Sequence, residues 1–217
     1  MALNMDFTQW QAIDTAAMPW LSSPSSGVER RPLERAAAES GHATSVVRFQ
    51  PNSHFDRHDH PGGEEIFVLD GVFSDEHGDY PAGSYLRNPI GSAHTPFSEQ
   101  GCTLFVKLCQ MQADDQRIVR KLTEDAGFCE RSEGISQFPL HAHADERVHL
   151  TRFQPGASSP LHCHEGGEEI FILEGSIEDA GRHFPTGSWI RYPDGSHHQP
   201  HSAEGCLLLV KRGHLAV

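Results

Sequence analysis

The stretch "HCHEGGEEIFILEG" at residues 162–175 places two histidines around a cysteine, then a glycine turn, two glutamates and an apolar run that ends at glycine. The chain carries nearly the same stretch earlier, as "HDHPGGEEIFVLDG" at residues 58–71. Each stretch is consistent with a metal site or with the polar edge of a buried strand. The fold and the chemistry of the chain both depend on this choice.

The two stretches belong to a longer repeat that continues without a gap. The same residues recur with identical spacing in both halves, as in the pairs His58 and His162, and His94 and His198. A period of about 100 residues is too long for a solenoid and fits two tandem copies of one fold. We predict two domains, residues 1–120 with an N-terminal arm and residues 121–217.

Short runs rich in β-forming residues fill each unit, such as "SVVRFQ", "EEIFVLDG" and "TLFVKL", and Gly, Pro, Asn or Asp bounds them. This alternation of strand and turn signals is typical of an antiparallel sandwich or barrel. Both units are therefore predicted to be all-β. The only helix candidates are "PLERAAAES" (32–40) and "DDQRIVRKLTEDAG" (114–127), the second as a linker helix.

In a strand, side chains at i and i+2 point to one face, so each His-x-His can aim both imidazoles into one interior. The glycine turn can bring a glutamate back to the same point, and a Pro-x-Gly turn adds a histidine from a neighbouring strand. The predicted metal ligands are His58, His60, Glu64 and His94 in the first unit, and His162, His164, Glu168 and His198 in the second. Glu65 and Glu169 are second choices.

Three imidazoles and one carboxylate suit Zn²⁺, Fe²⁺, Mn²⁺ or Ni²⁺ and leave coordination positions open for water or substrate. We expect two divalent metal ions per chain, zinc first in the protein as isolated. A single His-x-His fits a polar strand edge equally well, but repetition of the whole set at fixed spacing favours metal. No catalytic residue and no other cofactor is indicated.

Composition limits the partners and the location. The chain has 17 Lys and Arg against 30 Asp and Glu, a net charge of −13, and no basic stripe, which argues against nucleic acid as a direct partner. No stretch approaches the roughly 18 apolar residues of a membrane span, and no signal peptide is evident. Five cysteines without a CxxC pair do not suit a disulfide framework. We expect a soluble, cytoplasmic protein.

Each unit resembles the cupin superfamily in its two-part pattern, His-x-His-x3-Glu-x6-Gly followed by Gly-x5-Pro-x-Gly-x2-His. The glycine that usually precedes the first histidine is Gly156 in the second unit but Asn52 in the first. The resemblance implies a bicupin, with two tandem jelly-roll barrels (double-stranded β-helices) that each hold one metal ion on the ligands given above.

The chain is also similar to ChrR-like cupins, named for the cupin domain of the ChrR anti-sigma factor, in segments such as "MPWLSSPSSGVERRPLER" (18–35). This resemblance implies a ligand-sensing, regulatory role in the oxidative-stress transcriptional response, with a sigma factor as protein partner. In ChrR a separate N-terminal helical zinc domain holds the sigma factor, whereas no cysteine precedes Cys102 here. We expect residues 1–40 to form an extended arm, with Met18 and Trp20 packed on the first barrel or on a partner subunit.

An enzyme is the alternative to a sensor. A site of three histidines and one glutamate can hold Fe²⁺ and let a small diketone or related compound meet O₂, as in cupin dioxygenases. Both hypotheses expect a small molecule at the metal, and both leave a homodimer open.

Overall fold

The computed structural model describes residues 2–124 and 127–215, which are almost entirely β-strand. Contacts divide the chain into two compact units, Met1–Met5 with Met18–Asp125 and Asp6–Ala17 with Ala126–Val217. No α-helix occurs in the described part of the chain, and its one helical turn is the 3₁₀ segment Thr15–Ala17. The all-β prediction is confirmed. The domain boundary near residue 120 stays a prediction.

The strands are numbered along the chain. Those before residue 123 are β1 (Gln11–Asp14), β2 (Leu21–Ser22), β3 (Val28–Arg35), β4 (Ala43–Phe49), β5 (Ser53–His54), β6 (His58–Asp59), β7 (Glu64–Asp75), β8 (Gly78–Pro81), β9 (Ser84–Asn88), β10 (Ala93–His94), β11 (Phe97–Ser98), β12 (Cys102–Leu108) and β13 (Val119–Leu122). Those after residue 126 are β14 (Cys129–Ser132), β15 (Ile135–His143), β16 (Glu146–Phe153), β17 (His162–Cys163), β18 (Glu168–Asp179), β19 (Arg182–Pro185), β20 (Ser188–Tyr192), β21 (His197–His198) and β22 (Cys206–Arg212).

Each unit is an antiparallel sheet with the same strand order. In the first unit the order is β13-β9-β7-β12-β4-β3-β2, and in the second it is β1-β20-β18-β22-β16-β15-β14. A short two-stranded ladder completes each unit, β6 with β10 and β17 with β21. The sequence repeat is therefore a repeat of the fold, and residues at equivalent register positions can be compared directly.

The core of each unit is a cluster of apolar side chains on alternating strand positions. In the first unit it includes Phe49, Ile66, Leu86 and Leu104. Cys102 is buried in the same cluster, and burial raises the pKa of its thiol to about 11, so it packs as a small apolar residue.

The conformation and surroundings of Gly71 explain why the stretch at residues 58–71 ends in glycine. Its φ is +73°, and a Cβ there would overlap the carbonyl oxygen of Gly101 on the neighbouring segment. Gly175 repeats both features, with φ +71° and the carbonyl of Gly205. The long central strand bulges just before each glycine, between Val68 and Asp70 and between Ile172 and Glu174. At the glycine itself the strand passes too close to its neighbour for any side chain.

Both predicted helices are wrong. Residues 32–35 finish strand β3, which pairs with β4, and residues 119–122 form β13, which pairs with β9. Arg120 donates to the side chain of Asn88 and to the carbonyl of Arg87, so tertiary pairing overrides a weak helix propensity. Residues 125 and 126 of the second candidate lie outside the described residues.

The N-terminal arm is extended. Trp20 stacks against the guanidinium groups of Arg31 and Arg48, 4.1 and 4.2 Å from its ring, within the first unit. The segment before it belongs to the second unit, where β1 pairs with β20 and Thr15 donates to the carbonyl of Gly187 at 2.6 Å.

Candidate metal centres

The first candidate centre lies where the ladder of β6 and β10 meets the start of β7. His58 and His94 are cross-strand partners, His60 follows β6, and Glu64 begins β7. One ligand atom from each of these four residues lies within 4.8 Å of all the others. The Glu64 carboxylate is 3.3 Å from His60 Nε2 and 3.4 Å from His94 Nε2. The structure thus brings together the four side chains that the sequence predicts.

Hydrogen bonds fix how the three rings of the first centre point. His58 Nδ1 donates to the carbonyl of Asp56 at 3.0 Å, and His94 Nδ1 donates to Asp75 Oδ2 at 3.2 Å. His60 Nδ1 lies 3.0 Å from the hydroxyl oxygen of Ser92, which itself donates to a backbone carbonyl. With the proton on Nδ1, each ring keeps the Nε2 lone pair for the centre.

Glu64 is held from outside by Asn88, whose side-chain amide donates to Oε2 at 2.8 Å. The carboxylate of Asp75 accepts bonds from His94, from the backbone N–H of His77 and from the hydroxyl of Tyr80. Burial would raise the pKa of Asp75, but these bonds outweigh it and the pKa lies below its usual value. Asp75 is therefore an anion behind His94.

The second candidate centre brings together three predicted residues, His162, His164 and His198, within the same 4.8 Å limit. Glu168 contacts two of them, 3.3 Å from His164 Nδ1 and 3.5 Å from His198 Nε2. The Nε2 atoms of His162 and His198 are 3.1 Å apart. The two centres share the residue set, but Glu64 meets the 4.8 Å limit with its three histidines and Glu168 does not.

The surroundings of the second centre are more apolar. Tyr192 occupies the position of Asn88, and its ring lies 4.3 Å from that of His198 while its hydroxyl donates to Asp179 at 2.8 Å. Burial lowers the pKa of His164 and of His198 to about 3, and burial raises the pKa of Glu168 to about 8. Without a cation, His164, His198 and Glu168 are therefore neutral at pH 7.

The residues fit a divalent ion. The Nε2 atoms of His60, His94 and His164 are buried and make no hydrogen bond. Such orphaned nitrogens are costly unless something binds them. Neutral imidazoles with one carboxylate are the donors that first-row divalent ions prefer. A bound cation would also favour the charged form of Glu168.

The second-choice glutamates face away from the centres. Glu65 accepts from Arg87 Nη1 at 3.0 Å, and Glu169 accepts from the indole nitrogen of Trp189 at 2.6 Å. Sequence reasoning missed Asp75 and Asp179, which stand behind His94 and His198. The repeat could have revealed them, because Asp75 and Asp179 occupy equivalent positions in the two copies.

A cavity of about 450 Å³ extends from the first centre into its barrel. His58, His60 and Glu64 form part of its wall, and the rest is largely apolar, including Val47, Phe49, Ile66, Leu104 and Val106. In the second unit the equivalents of Ser45 and Val47 are His149 and Thr151, whose side chains hydrogen-bond at 2.9 Å. The two barrel interiors therefore differ in chemistry.

A family model described as the ChrR Cupin-like domain matches the chain twice, over residues 8–112 and 116–216. No curated protein matches the chain in sequence. No helix in the described part of the chain has the length and apolar character needed to cross a bilayer.

Several solved structures are similar to the chain. A candidate dioxygenase from Nostoc punctiforme has a TM-score of 0.79 at 17% identity, covering 97% of this chain and 85% of that one. The Escherichia coli protein Ylba has a TM-score of 0.75 at 16% identity, covering 98% and 94%. The oxalate decarboxylase of Lactobacillus farciminis, in a formate complex, has a TM-score of 0.67 at 14% identity, covering 94% and 86%. At these identities the likeness shows the fold alone.

Proposed function

Because the chain belongs to the ChrR Cupin-like domain family in both of its halves, we propose that it is a divalent-metal-binding bicupin whose first metal centre takes a small, mainly apolar molecule. One observation carries the proposal: the cavity of about 450 Å³ in the first barrel has metal-ligand candidates in its wall. This volume falls in the range of about 300–1,000 Å³ that is usual for small-ligand sites.

The proposed ligands are His58, His60, Glu64 and His94 for one ion and His162, His164, Glu168 and His198 for the other, with zinc expected first and iron, manganese or nickel as alternatives. A divalent ion in the first centre would supply a Lewis acid with open coordination positions. The chain's own residues orient the site. Asp75 holds His94 in one tautomer, Asn88 holds Glu64, and the apolar walls keep water from a bound molecule.

Recognition of a small molecule suits a regulatory protein, and we propose a ligand-sensing role in an oxidative-stress response, with a sigma factor as the partner that the family suggests. Residues 2–40 form short strands, turns, bends and one 3₁₀ segment rather than a helical zinc domain, so this segment is not proposed to grip that partner. The five cysteines are free thiols, in keeping with the reducing cytoplasm.

The second candidate function is a cupin-type non-haem dioxygenase that acts on a small diketone or related compound. The observation that favours it is that His58, His60 and Glu64, three of the proposed metal ligands, line the cavity. A molecule in the cavity would therefore reach the metal itself rather than a site beside it.

Elemental analysis of protein purified without added metal tests the proposal first, and two equivalents per chain are expected. Anaerobic loading with Fe²⁺, followed by oxygen uptake over a panel of diketones, separates the two roles. Uptake above that of a His94→Ala variant would favour the enzyme. Saturable binding without uptake would favour the sensor, and the absence of both metal and ligand binding would refute the proposal.

A further inference from the structure

The cavity of the first unit carries two arginines that metal binding does not explain. Arg30 and Arg35 both lie on β3, and both form part of the cavity wall together with Glu39. Arg30 Nη2 is 2.6 Å from one Glu39 oxygen, and Arg35 Nη2 is 3.6 Å from the other. Two guanidinium groups therefore share this carboxylate, with one positive charge in excess.

The three groups differ in exposure. The side chains of Arg30 and Arg35 are 19% and 15% exposed, whereas that of Glu39 is 54% exposed. Burial, and then the charge of Arg30, lowers the pKa of Arg35, which is consistent with two cations held close together away from water. Glu39 stands on an exposed loop, so its carboxylate can return to water at little cost.

We propose that Arg30 and Arg35 bind the carboxylate of the molecule whose apolar body fills the first cavity, and that Glu39 holds this place when the molecule is absent. The inference rests on the proposed function, because it names the ligand class of the same site: a small carboxylic acid with an apolar body. A guanidinium pair matches a planar carboxylate in shape and charge.

The pair is confined to the first unit. Arg30 and Arg35 lie opposite Val47 and Ala43 in the ladder of β3 and β4. The equivalent places on β15, opposite Thr151 and Arg147, hold Gln137 and Ala142. The second unit therefore supplies substitutions that this fold accommodates, and the double variant R30Q/R35A removes both charges without foreign side chains.

The test is titration calorimetry on the full chain with carboxylates of increasing apolar size, such as hexanoate and 3-phenylpropanoate, each matched with its neutral amide. At least one acid should bind about tenfold more tightly than its amide, the usual effect of a charge-assisted hydrogen bond. R30Q/R35A should abolish this preference. E39Q should strengthen binding of the acid and leave the amide unchanged.

Equal binding of every acid and its amide by the unmodified protein would overturn the inference and leave the proposed function standing. A preference for the acid that survives in R30Q/R35A would place the carboxylate on the metal and also overturn it. Weaker binding of the acid by E39Q would also overturn the inference. This result does not depend on whether R30Q/R35A folds. Failure of all acids and amides to bind would refute the proposed function as well.

Discussion

Asp75 offers a direct test of how the first centre holds its ion. Its side chain is fully buried, at 0% exposure, and accepts the Nδ1–H of His94 at 3.2 Å. The substitution Asp75→Asn keeps the size and one acceptor oxygen but removes the charge. We expect the centre to keep its geometry and lose metal affinity.

The magnitude follows from the contact that changes. A hydrogen bond to a charged group contributes about 1.5–3 kcal/mol, and a neutral one about 1 kcal/mol. The difference is on the order of 1 kcal/mol, which corresponds to roughly five- to tenfold in the dissociation constant. This agrees with the lower end of the roughly 10- to 100-fold loss in metal affinity that follows removal of a hydrogen-bond partner of a metal-bound histidine.

The assay is competition with a chromophoric chelator in a His198→Ala background, so that the first centre dominates the signal. Asp70→Asn is the matched control, because Asp70 lies on the same strand and is exposed. Unchanged affinity in Asp75→Asn, or an equal loss in Asp70→Asn, would refute the argument that Asp75 orients His94.

Three further predictions concern metal removal, the first cavity and His149. Stripping the metal with EDTA should lower the unfolding free energy, by about 4 kcal/mol where free metal exceeds Kd a thousandfold, and an unchanged melting curve would contradict metal binding in the folded state. Ser45→His, which copies His149 into the first barrel, should abolish binding of a cavity ligand while metal content stays the same; calorimetry and elemental analysis check both. Burial, and then the charges of Arg212 and Arg131, lowers the pKa of His149 from 6.5 to about 4. Between these values the unfolded chain binds a proton that the folded chain does not, so stability falls as pH drops, by about 3 kcal/mol in total. Urea unfolding of His149→Gln beside the unmodified protein should show a flatter profile from pH 6.5 to 4.

The sequence was sufficient for the all-β class, because alternation and turn residues are local, although β13 and the end of β3 were predicted as helix. It also predicted which side chains converge in the first centre, since His-x-His and the glutamate after the turn are set by strand geometry. Their role as ligands stays a prediction. Asn88 and Tyr192 could not be found in this way, because they reach the centres through pairing of distant strands, β7 with β9 and β18 with β20.

The sequence alone also could not show that the interiors of the two barrels differ. Ser45 and His149 occupy equivalent places, but their importance depends on which face of the strand lines the barrel. The two helix predictions failed for a related reason. The charges at helical spacing in residues 114–127 are also compatible with a strand. Arg120 donates hydrogen bonds to Arg87 and Asn88 on β9, and a sequence pattern does not show these distant acceptors.

The pairing of β1 with β20 has a consequence for synthesis of the chain on the ribosome. Residues 11–14 leave the ribosome long before their partners, residues 188–191, have been made. Until then β1 has no ladder to join, and closing so long a loop is entropically slow. Strand β20 in turn presents an open edge until β1 returns to it. The second unit can therefore mature only after β20 has been made, whereas the first needs nothing beyond β13.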